Sequence, residues 1–307
     1  MKWIVIAGPT GTGKSDLALH LATAIGGEIV NFDSIQVYRG FDIGSAKPPA
    51  PSRNRVPHHL YDIIDATTEF NAADYARLAR TTCEGIAARG ATPILVGGTF
   101  FYLRALLSGL PELPPKDEDV RRRLRRIADT PRGPSRLHRW LSRVDPTTAG
   151  RTAPKDRHRV ERALEVWIAR GQPISDTPRP GSTPEDIAPS LKLALTLERP
   201  ALARRLDERV ERMYLDGLVE ETRALLARFP RDARPFTSIG YREAVQVVHG
   251  ELDLPAAIAE TKRRTRAYAK RQMTWLRSER NMQWLDAGNR QDAFEAALRL
   301  TERFRIE

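Results

Sequence analysis

The chain has 307 residues, 41% of them hydrophobic, which is enough to build the core of one large or two ordinary domains. Its single cysteine, Cys83, excludes an intramolecular disulfide and a zinc site built from several thiolates, and we expect it to be a small buried residue. No stretch approaches the ~18 apolar residues of a membrane span, and the first apolar run is too short for a signal peptide. We therefore expect a cytoplasmic protein without a membrane anchor, and a monomer by default.

The net charge of +11 is unevenly distributed along the chain. Residues 116–170 contain 16 basic and 8 acidic residues, and residues 260–280 contain 8 basic and 2 acidic residues. The net charge of all remaining residues is −3. A surplus confined to two segments is typical of a polyanion-binding surface, whereas a coding bias toward arginine would spread the charge evenly. Solvated helix faces without a partner are the alternative.

Residues 8–15 match the phosphate-loop pattern G-x-x-x-x-G-K-[ST] at every fixed position. The preceding run, Trp3–Ala7, is typical of a buried strand, and residues 16–22 are typical of a helix start. In this arrangement glycines let backbone N–H groups face an anion, Lys14 adds a positive charge, and Ser15 can bind Mg²⁺. We predict phosphate binding by Gly8, Pro9, Thr10, Gly11, Thr12, Gly13, Lys14 and Ser15, with Ser15 as the metal ligand.

The next elements alternate between strand and helix patterns. Strands are predicted at residues 28–32, 56–64 and 92–96, with an amphipathic helix at 71–89, and this βαβα order predicts a parallel sheet. Asp33 follows the second strand. Because α/β sheets place ligands at the carboxyl ends of their strands, Asp33 should face the phosphate loop, although it can also cap the turn that follows.

The fourth predicted strand does not end in the acidic residue that binds Mg²⁺ in most nucleotide hydrolases and kinases. It continues into Gly97-Gly98-Thr99, which is a poor metal ligand but allows another molecule to approach the backbone closely. Asp62 and Asp65, after the third strand, are possible substitutes for the missing acid.

An arginine-rich helical segment is predicted between the fourth and fifth strands. We place the first part of the catalytic core at residues 1–111, a helical insertion at 112–189 that ends in a linker at 173–189, and the second part of the core at 190–307. The fifth strand is predicted at 191–197. A terminal helix without evident chemistry is predicted at 288–307.

A long helix at residues 256–280 carries one cationic face. Its stripe spans about 100° of the helix and contains Lys262, Arg263, Arg266, Lys270, Arg277 and Arg280. Ala257, Thr261, Tyr268 and Trp275 lie on the opposite, packing face. Because like charges on one face repel, we favour an RNA phosphate backbone as the partner of the stripe over simple solvation.

Five motifs in their common order resemble the tRNA dimethylallyltransferase family. They are residues 8–15, 33–39, 42–48, 56–60 and 97–103, and further matches at 240–242 and 270–277 extend the resemblance over about residues 3–284. The family transfers an isopentenyl group to N6 of the adenosine beside the anticodon. The resemblance thus implies an α/β P-loop fold with a helical insertion, dimethylallyl diphosphate and the tRNA anticodon stem-loop as substrates, and Mg²⁺.

The transfer reaction assigns roles to particular residues. Asp33 is the candidate base for the N6 proton, Thr10 and Lys14 face the leaving diphosphate, and Arg209, or alternatively Arg212, supplies a second cation. By resemblance, tRNA contacts are expected at Asp33, Ser34, Ile35, Gln36, Thr99, Arg121, His158, Arg159, Val160, Glu161, Arg162, Gly240, Tyr241, Arg242, Lys270, Arg271, Gln272, Trp275 and Arg277.

Three other functions fit parts of the sequence. A small-molecule kinase would share the phosphate loop but would need ATP, and it would have no use for the basic helix. An adenylate isopentenyltransferase would share the core, but the two basic segments argue for RNA. A non-enzymatic RNA-binding module would leave the complete phosphate loop unexplained.

Overall fold

The computed structural model describes residues 2–178 and 189–306. Within these residues, six strands form one parallel sheet: β1 (Trp3–Ala7), β2 (Gly27–Asn31), β3 (His58–His59), β4 (Thr92–Val96), β5 (Ser190–Thr196) and β6 (Met282–Asp286). Their order across the sheet is β3-β2-β4-β1-β5-β6, and every neighbouring pair is parallel. The predicted α/β fold with a parallel sheet flanked by helices is confirmed.

Helices connect the strands, as parallel pairing requires. In chain order they are α1 (Lys14–Ile25), α2 (Ala50–Arg53), α3 (Ala72–Ala88), α4 (Phe100–Ser108), α5 (Glu118–Ala128), α6 (Gly133–Val144), α7 (Pro146–Arg151), α8 (Arg157–Arg170), α9 (Arg199–Leu215), α10 (Leu218–Leu226), α11 (Tyr241–Val248), α12 (Leu254–Ser278) and α13 (Arg290–Ile306). The helices predicted near residues 71–89, 256–280 and 288–307 are confirmed. Asn71, for example, caps α3 by accepting a hydrogen bond from the backbone N–H of Ala73 at 2.8 Å.

The main core lies between the sheet and its helices. All five residues of β1 are fully buried, and Ile4 and Ile6 pack with Leu17 and Leu21 of α1 in one apolar cluster. Such continuous burial is the reason that central strands of a parallel sheet have uninterrupted apolar sequences. Cys83, on α3, is buried, as predicted. No helix among the described residues is both long enough and apolar enough to span a bilayer.

The described residues form two compact units. The first contains residues 2–107 and 189–306 and includes the sheet, and the second contains residues 108–178. The second unit is helical and has its own core, which includes Leu124, Leu137, Leu141 and Leu164. The predicted linker at 173–189 lies mostly outside the described residues, which end at 178 on this side.

Two strands differ from the prediction. The third strand, predicted over residues 56–64, is only His58–His59, because Leu60 and Asp62 adopt left-handed backbone conformations with φ of 64° and 55°. Leu60 O accepts a hydrogen bond from Asn31 Nδ2 at 3.0 Å, which holds this bend. The strand β6 was not predicted, because it is an edge strand whose side chains are mostly exposed and which lacks an apolar run.

Candidate active site

The loop between β1 and α1 is held in shape by its own residues. Gly13 has a left-handed φ of 87° and directly precedes Lys14, the first residue of α1. A Cβ at Gly8 would lie 2.8 Å from Thr12 Oγ1 and 2.9 Å from a backbone oxygen of β5, so a side chain does not fit there. Thr12 Oγ1 and Lys14 Nζ both donate to Pro9 O, at 2.9 and 2.8 Å. The loop therefore surrounds a helix N-terminus, which favours an anion.

Lys14 and Arg209 bring two positive charges to the cavity beside this loop. Burial and the nearby charge of Arg209 lower the pKa of Lys14 to about 7, and only Asp33 opposes this shift. Burial also lowers the pKa of Arg209, again opposed by Asp33. A multivalent anion between the two cations would relieve this unfavourable environment. The alternative residue, Arg212, is exposed on α9 and does not line the cavity.

Asp33 has one oxygen engaged and one oxygen free. Oδ1 accepts hydrogen bonds from the backbone N–H groups of Ile35 at 2.8 Å and Gln36 at 3.4 Å, and thereby caps the turn after β2. Within the described residues, Oδ2 has no hydrogen-bond partner, and Asp33 lines the cavity. The carboxylate can therefore hold the turn and still accept a proton.

Hydrogen bonds join the turns after β2 and β4. Thr99 Oγ1 accepts from Ser34 N at 3.0 Å and donates to Ser34 Oγ at 3.2 Å. Gln36 Nε2 donates to the carbonyl oxygens of Ser45 and Ala46, at 3.0 and 3.3 Å. These bonds hold the loop at Ser45 and Ala46, which lines another side of the cavity. Ser34, Gln36 and Thr99 all line the same cavity.

One cavity of about 390 Å³ is lined by all four predicted catalytic residues. The predicted residues that line it are Thr10, Lys14, Ser15, Asp33, Ser34, Ile35, Gln36, Thr99, Arg209 and Gln272. A second cavity of about 240 Å³ shares Lys14, Ser15 and Arg209 with the first and includes Gly11 and Gly13. The two cations thus line both cavities.

Gln272 is part of this cavity and does not face solvent. Its side chain is buried, with 4% of its surface exposed, and it contacts the backbone at Thr10 and Gly98. Because Gln272 lines the cavity, its predicted contact with tRNA stays a prediction. The close approach expected at Gly97-Gly98 is made by the protein itself, since a Cβ would lie 2.5 Å from Phe32 C at Gly97 and 2.5 Å from Gln272 Nε2 at Gly98.

The two possible substitutes for a metal-binding acid are engaged in ion pairs. Asp62 contacts Lys47 at 2.5 Å and Arg53 at 2.7 Å, and Asp65 contacts Arg39 at 3.2 Å. Because both carboxylates pair with cations of the protein, neither is placed as the Mg²⁺-binding acid that the sequence suggested. Across residues 2–178 and 189–306, no group of three or more His, Cys, Asp or Glu side chains could hold a metal ion.

The cationic stripe of α12 is partly neutralised by the protein itself. Three of its members pair with carboxylates: Lys262 with Glu211, Arg263 with Glu260 and Arg266 with Asp207. In the described part of the chain, no ion pair forms at Lys270, Arg271, Arg277 or Arg280, and all four are exposed. Repulsion between like charges therefore remains only in the C-terminal half of the helix, where an external anion stays the expected partner.

Trp275, another predicted tRNA contact, packs against its own protein. Its ring stacks on Phe100 with 4.6 Å between centroids and 8° between planes. The guanidinium of Arg104 lies 4.9 Å from the Trp275 ring centroid. These contacts dock α4 against α12, so we reassign Trp275 to packing.

Within the helical unit, two arginines that were predicted to bind RNA form ion pairs with the same buried carboxylate. Glu165 is 1% exposed and accepts from Arg121 Nε at 2.9 Å and Arg162 Nη1 at 2.7 Å. Burial opposes ionisation of Glu165, but the hydrogen bonds from Arg121 and Arg162 keep its pKa below the ordinary value. We correct the prediction that these two arginines contact RNA, because both guanidinium groups are paired with Glu165 inside the unit.

The other predicted residues of this segment divide by exposure. Val160 is buried in the core of the helical unit and cannot contact RNA. Glu161 is partly buried and lies 3.5 Å from Arg157. His158 and Arg159 are exposed, and Arg159 lies 3.5 Å from Asp156.

The motif at residues 240–242 shapes the cavity. Gly240 has φ of 93° and caps α11. Tyr241 is 0% exposed, so the prediction that its side chain contacts tRNA is wrong. Its hydroxyl donates to Glu221 Oε1 at 2.5 Å and accepts from the N–H of Gly44, which lines the cavity, at 3.2 Å. Arg242 is exposed.

Sequence reasoning missed several residues of the cavity wall. They are Val210, Met213, Arg234, Thr237, Ser238, Ile239, Thr261, Thr265 and Tyr268. A usable signal was present: Thr261, Thr265 and Tyr268 share the helix face of Gln272 at spacings of three or four residues. The face of α12 assigned to packing thus forms a wall of the cavity.

Known proteins match this chain over nearly its whole length. A model of the IPP transferase family matches residues 36–279, and a model of isopentenyl transferases matches residues 1–69. A tRNA dimethylallyltransferase of Solibacter usitatus is 47% identical over 306 residues, covering 99% of each chain.

Solved structures agree with these matches. The full-length tRNA isopentenylpyrophosphate transferase of Bacillus halodurans is 36% identical with a TM-score of 0.72, covering 99% of this chain and 97% of that chain. A eukaryotic dimethylallyltransferase acting on tRNA is 28% identical with a TM-score of 0.80, covering 99% of this chain and 79% of that chain. This chain belongs to the IPP transferase family, the family of the tRNA dimethylallyltransferases.

Proposed function

We propose that the protein transfers the dimethylallyl group of dimethylallyl diphosphate to N6 of the adenosine next to the anticodon of a tRNA, releasing diphosphate. One observation carries this proposal. A single cavity brings the phosphate loop, with Lys14 and Arg209, together with a carboxylate at Asp33 that has a free oxygen. The cations suit a leaving diphosphate, and the carboxylate suits a proton released by the acceptor.

The leaving group is the part of the reaction that needs positive charge. As the bond between C1 and the diphosphate oxygen breaks, its electron pair remains on the oxygen, and Lys14 and Arg209 stabilise the growing negative charge. Thr10 lines the same cavity, and its hydroxyl can donate to the departing oxygen. Backbone N–H groups of the loop add fixed donors.

The acceptor is the part that needs a base. N6 of adenine is a weak nucleophile, since its lone pair is delocalised into the ring. As N6 bonds to C1, the proton lost from N6 passes to Asp33 Oδ2, which keeps the charge balanced. The adenine must leave its stack to reach this carboxylate. Ser34, Ile35 and Thr99 line the cavity beside Asp33 and are proposed to contact the flipped base.

Mg²⁺ is the proposed cofactor, and the oxygen donors of the cavity fit it. Ser15 lines the cavity and offers a hydroxyl oxygen, a hard ligand of the kind that Mg²⁺ prefers. Few protein ligands are needed, because Mg²⁺ usually completes its shell with water and substrate phosphates. When bound there, the ion would neutralise part of the diphosphate charge.

The tRNA is proposed to bind at exposed cations of each unit. In the sheet-containing unit these are Lys270, Arg271 and Arg277, and in the helical unit the cation is Arg159, with His158 beside it as an exposed side chain that can form a hydrogen bond. Contacts of this kind neutralise phosphates and position the RNA, whereas contacts near the flipped adenine select the base.

A free adenine nucleotide is the second candidate acceptor. The observation that favours it is the match of residues 1–69 to a model of isopentenyl transferases, which includes the phosphate loop and Asp33. Against it, the exposed cations Lys270 and Arg277 would have no function with such a small acceptor.

Labelled dimethylallyl diphosphate, incubated with tRNA, AMP or no acceptor, separates these functions. We expect label in tRNA only. Transfer to AMP at a comparable rate would favour the second candidate. Hydrolysis of ATP in a parallel incubation of the protein with ATP would favour a kinase-like activity.

A further inference from the structure

We infer that Gln272 is a positioning residue that ties the phosphate loop to the turn after β4 and thereby orients Thr10 for the transfer. The inference rests on the proposed function. It differs from the role that the resemblance implied, which was contact with tRNA.

Both ends of the Gln272 amide are used. Oε1 accepts a hydrogen bond from the backbone N–H of Thr10 at 2.9 Å, and Nε2 donates one to the carbonyl oxygen of Gly98 at 2.9 Å. The two partners lie 262 and 174 residues away in the chain. An ionised glutamate would lack the donor and a lysine would lack the acceptor, whereas the carboxamide supplies both.

The turn is shaped to receive this amide. A Cβ at Gly98 would lie only 2.5 Å from Gln272 Nε2, so the glycine leaves the space that the amide occupies. Tyr268, one turn earlier on α12, also donates to Gly98 O, at 3.1 Å. Two side chains therefore anchor α12 to the turn, but among the described residues only Gln272 also hydrogen-bonds the phosphate loop at Thr10.

The bridge connects the two chemical halves of the cavity. Thr10 belongs to the half that holds the leaving group. Gly98 directly precedes Thr99, which is hydrogen-bonded to Ser34 in the half that faces the acceptor. Transfer requires C1 to lie between the leaving oxygen and N6, and small errors in such an alignment are costly in rate. Loss of the bridge should therefore slow the transfer step while the RNA-binding surface stays intact.

Gln272→Met tests this role, because methionine keeps the length of the side chain but makes neither hydrogen bond. We expect kcat to fall about tenfold, the effect of roughly one hydrogen bond, with the Kd for tRNA within about twofold of wild type. Gln283→Met, at an exposed glutamine on β6, is the matched control and should leave both values unchanged. A weaker Kd for tRNA with normal kcat would show instead that Gln272 contacts RNA.

A double-mutant cycle with Thr10→Ala distinguishes positioning of Thr10 from a general structural role, because the two roles differ in whether the losses of kcat are additive. If Gln272 acts by orienting the Thr10 hydroxyl, Gln272→Met should cause little further loss of kcat once that hydroxyl is absent. Fully additive losses would overturn the proposal. Gly98→Ala perturbs the same bridge from the turn without altering Gln272, so it should reproduce the loss and its non-additivity even where Gln272→Met folds poorly. Inactivity of the wild-type protein would contradict the proposed function, whereas additivity in an active protein contradicts only the role of Gln272.

Discussion

Replacing Asp33 with asparagine separates the two tasks of its carboxylate. Asparagine keeps Oδ1, which accepts from the Ile35 N–H at 2.8 Å, so the turn after β2 should persist. It replaces the free Oδ2 with an NH₂ group, which cannot accept a proton. Because a positioned base contributes roughly 10²–10⁴-fold to a rate, kcat should fall by about that factor, equivalent to about 3–5 kcal/mol of transition-state stabilisation.

The same substitution predicts an opposite effect on substrate binding. Asp33 is the negative charge beside Lys14 and Arg209, and it opposes an incoming anion. Removing that charge should leave the KM for dimethylallyl diphosphate unchanged or lower. The assay is steady-state transfer at saturating tRNA, with tRNA affinity and Tm measured on the same preparation. Asp232→Asn, at an exposed carboxylate outside the cavity, controls for loss of one negative charge.

Two results would refute this reasoning. A kcat within a few-fold of wild type would remove Asp33 from proton transfer. A large fall in Tm would mean that the hydrogen bonds of the turn, and not the free oxygen, explain any loss of activity.

Other residues lead to three further predictions. Because the pKa of Lys14 is about 7 without ligand, binding of inorganic diphosphate should weaken as pH rises above 7 and should take up a proton, and calorimetry should show Lys14→Met losing this uptake. Arg162→Ala should lower the free energy of unfolding of the helical unit by about 2 kcal/mol in urea denaturation, because its buried carboxylate partner loses a charged hydrogen bond. Lys270→Ala combined with Arg277→Ala should reduce the salt slope of tRNA binding by about one to two units, whereas Lys262→Ala, whose ammonium already pairs with a carboxylate, should change it little.

Local patterns predicted the features that depend on neighbours in sequence. The loop containing Lys14 and the turn containing Asp33 are set by short spacings between strand and helix, so the sequence indicated both their shape and their position at the sheet edge. The long helix α12 was likewise evident from its periodicity. The sequence therefore predicted correctly the side of the cavity that is formed by the phosphate loop and the turn at Asp33.

Long-range contacts account for what could not be predicted. A charge count treats Arg121 and Arg162 as surface cations, but Glu165 binds both inside the helical unit. Gln272 lies in a segment expected to bind RNA, yet its partner Thr10 is at the other end of the chain. The short β3 depends on a bend at Leu60 that is held by another part of the fold. Arg162 and Glu165 are three residues apart on α8, but the contacts of Arg121 with Glu165, of Gln272 with Thr10 and of Asn31 with Leu60 join residues that no local pattern relates.

The transfer itself can be tested most directly with two anticodon stem-loops. One carries adenosine next to the anticodon and the other carries guanosine there, and each is incubated with the protein, Mg²⁺ and dimethylallyl diphosphate before nucleoside mass spectrometry. We expect a gain of one dimethylallyl group on N6 of that adenosine, and no gain in the guanosine stem-loop. Modification of another position, or of neither RNA in the presence of a correctly folded protein, would contradict it.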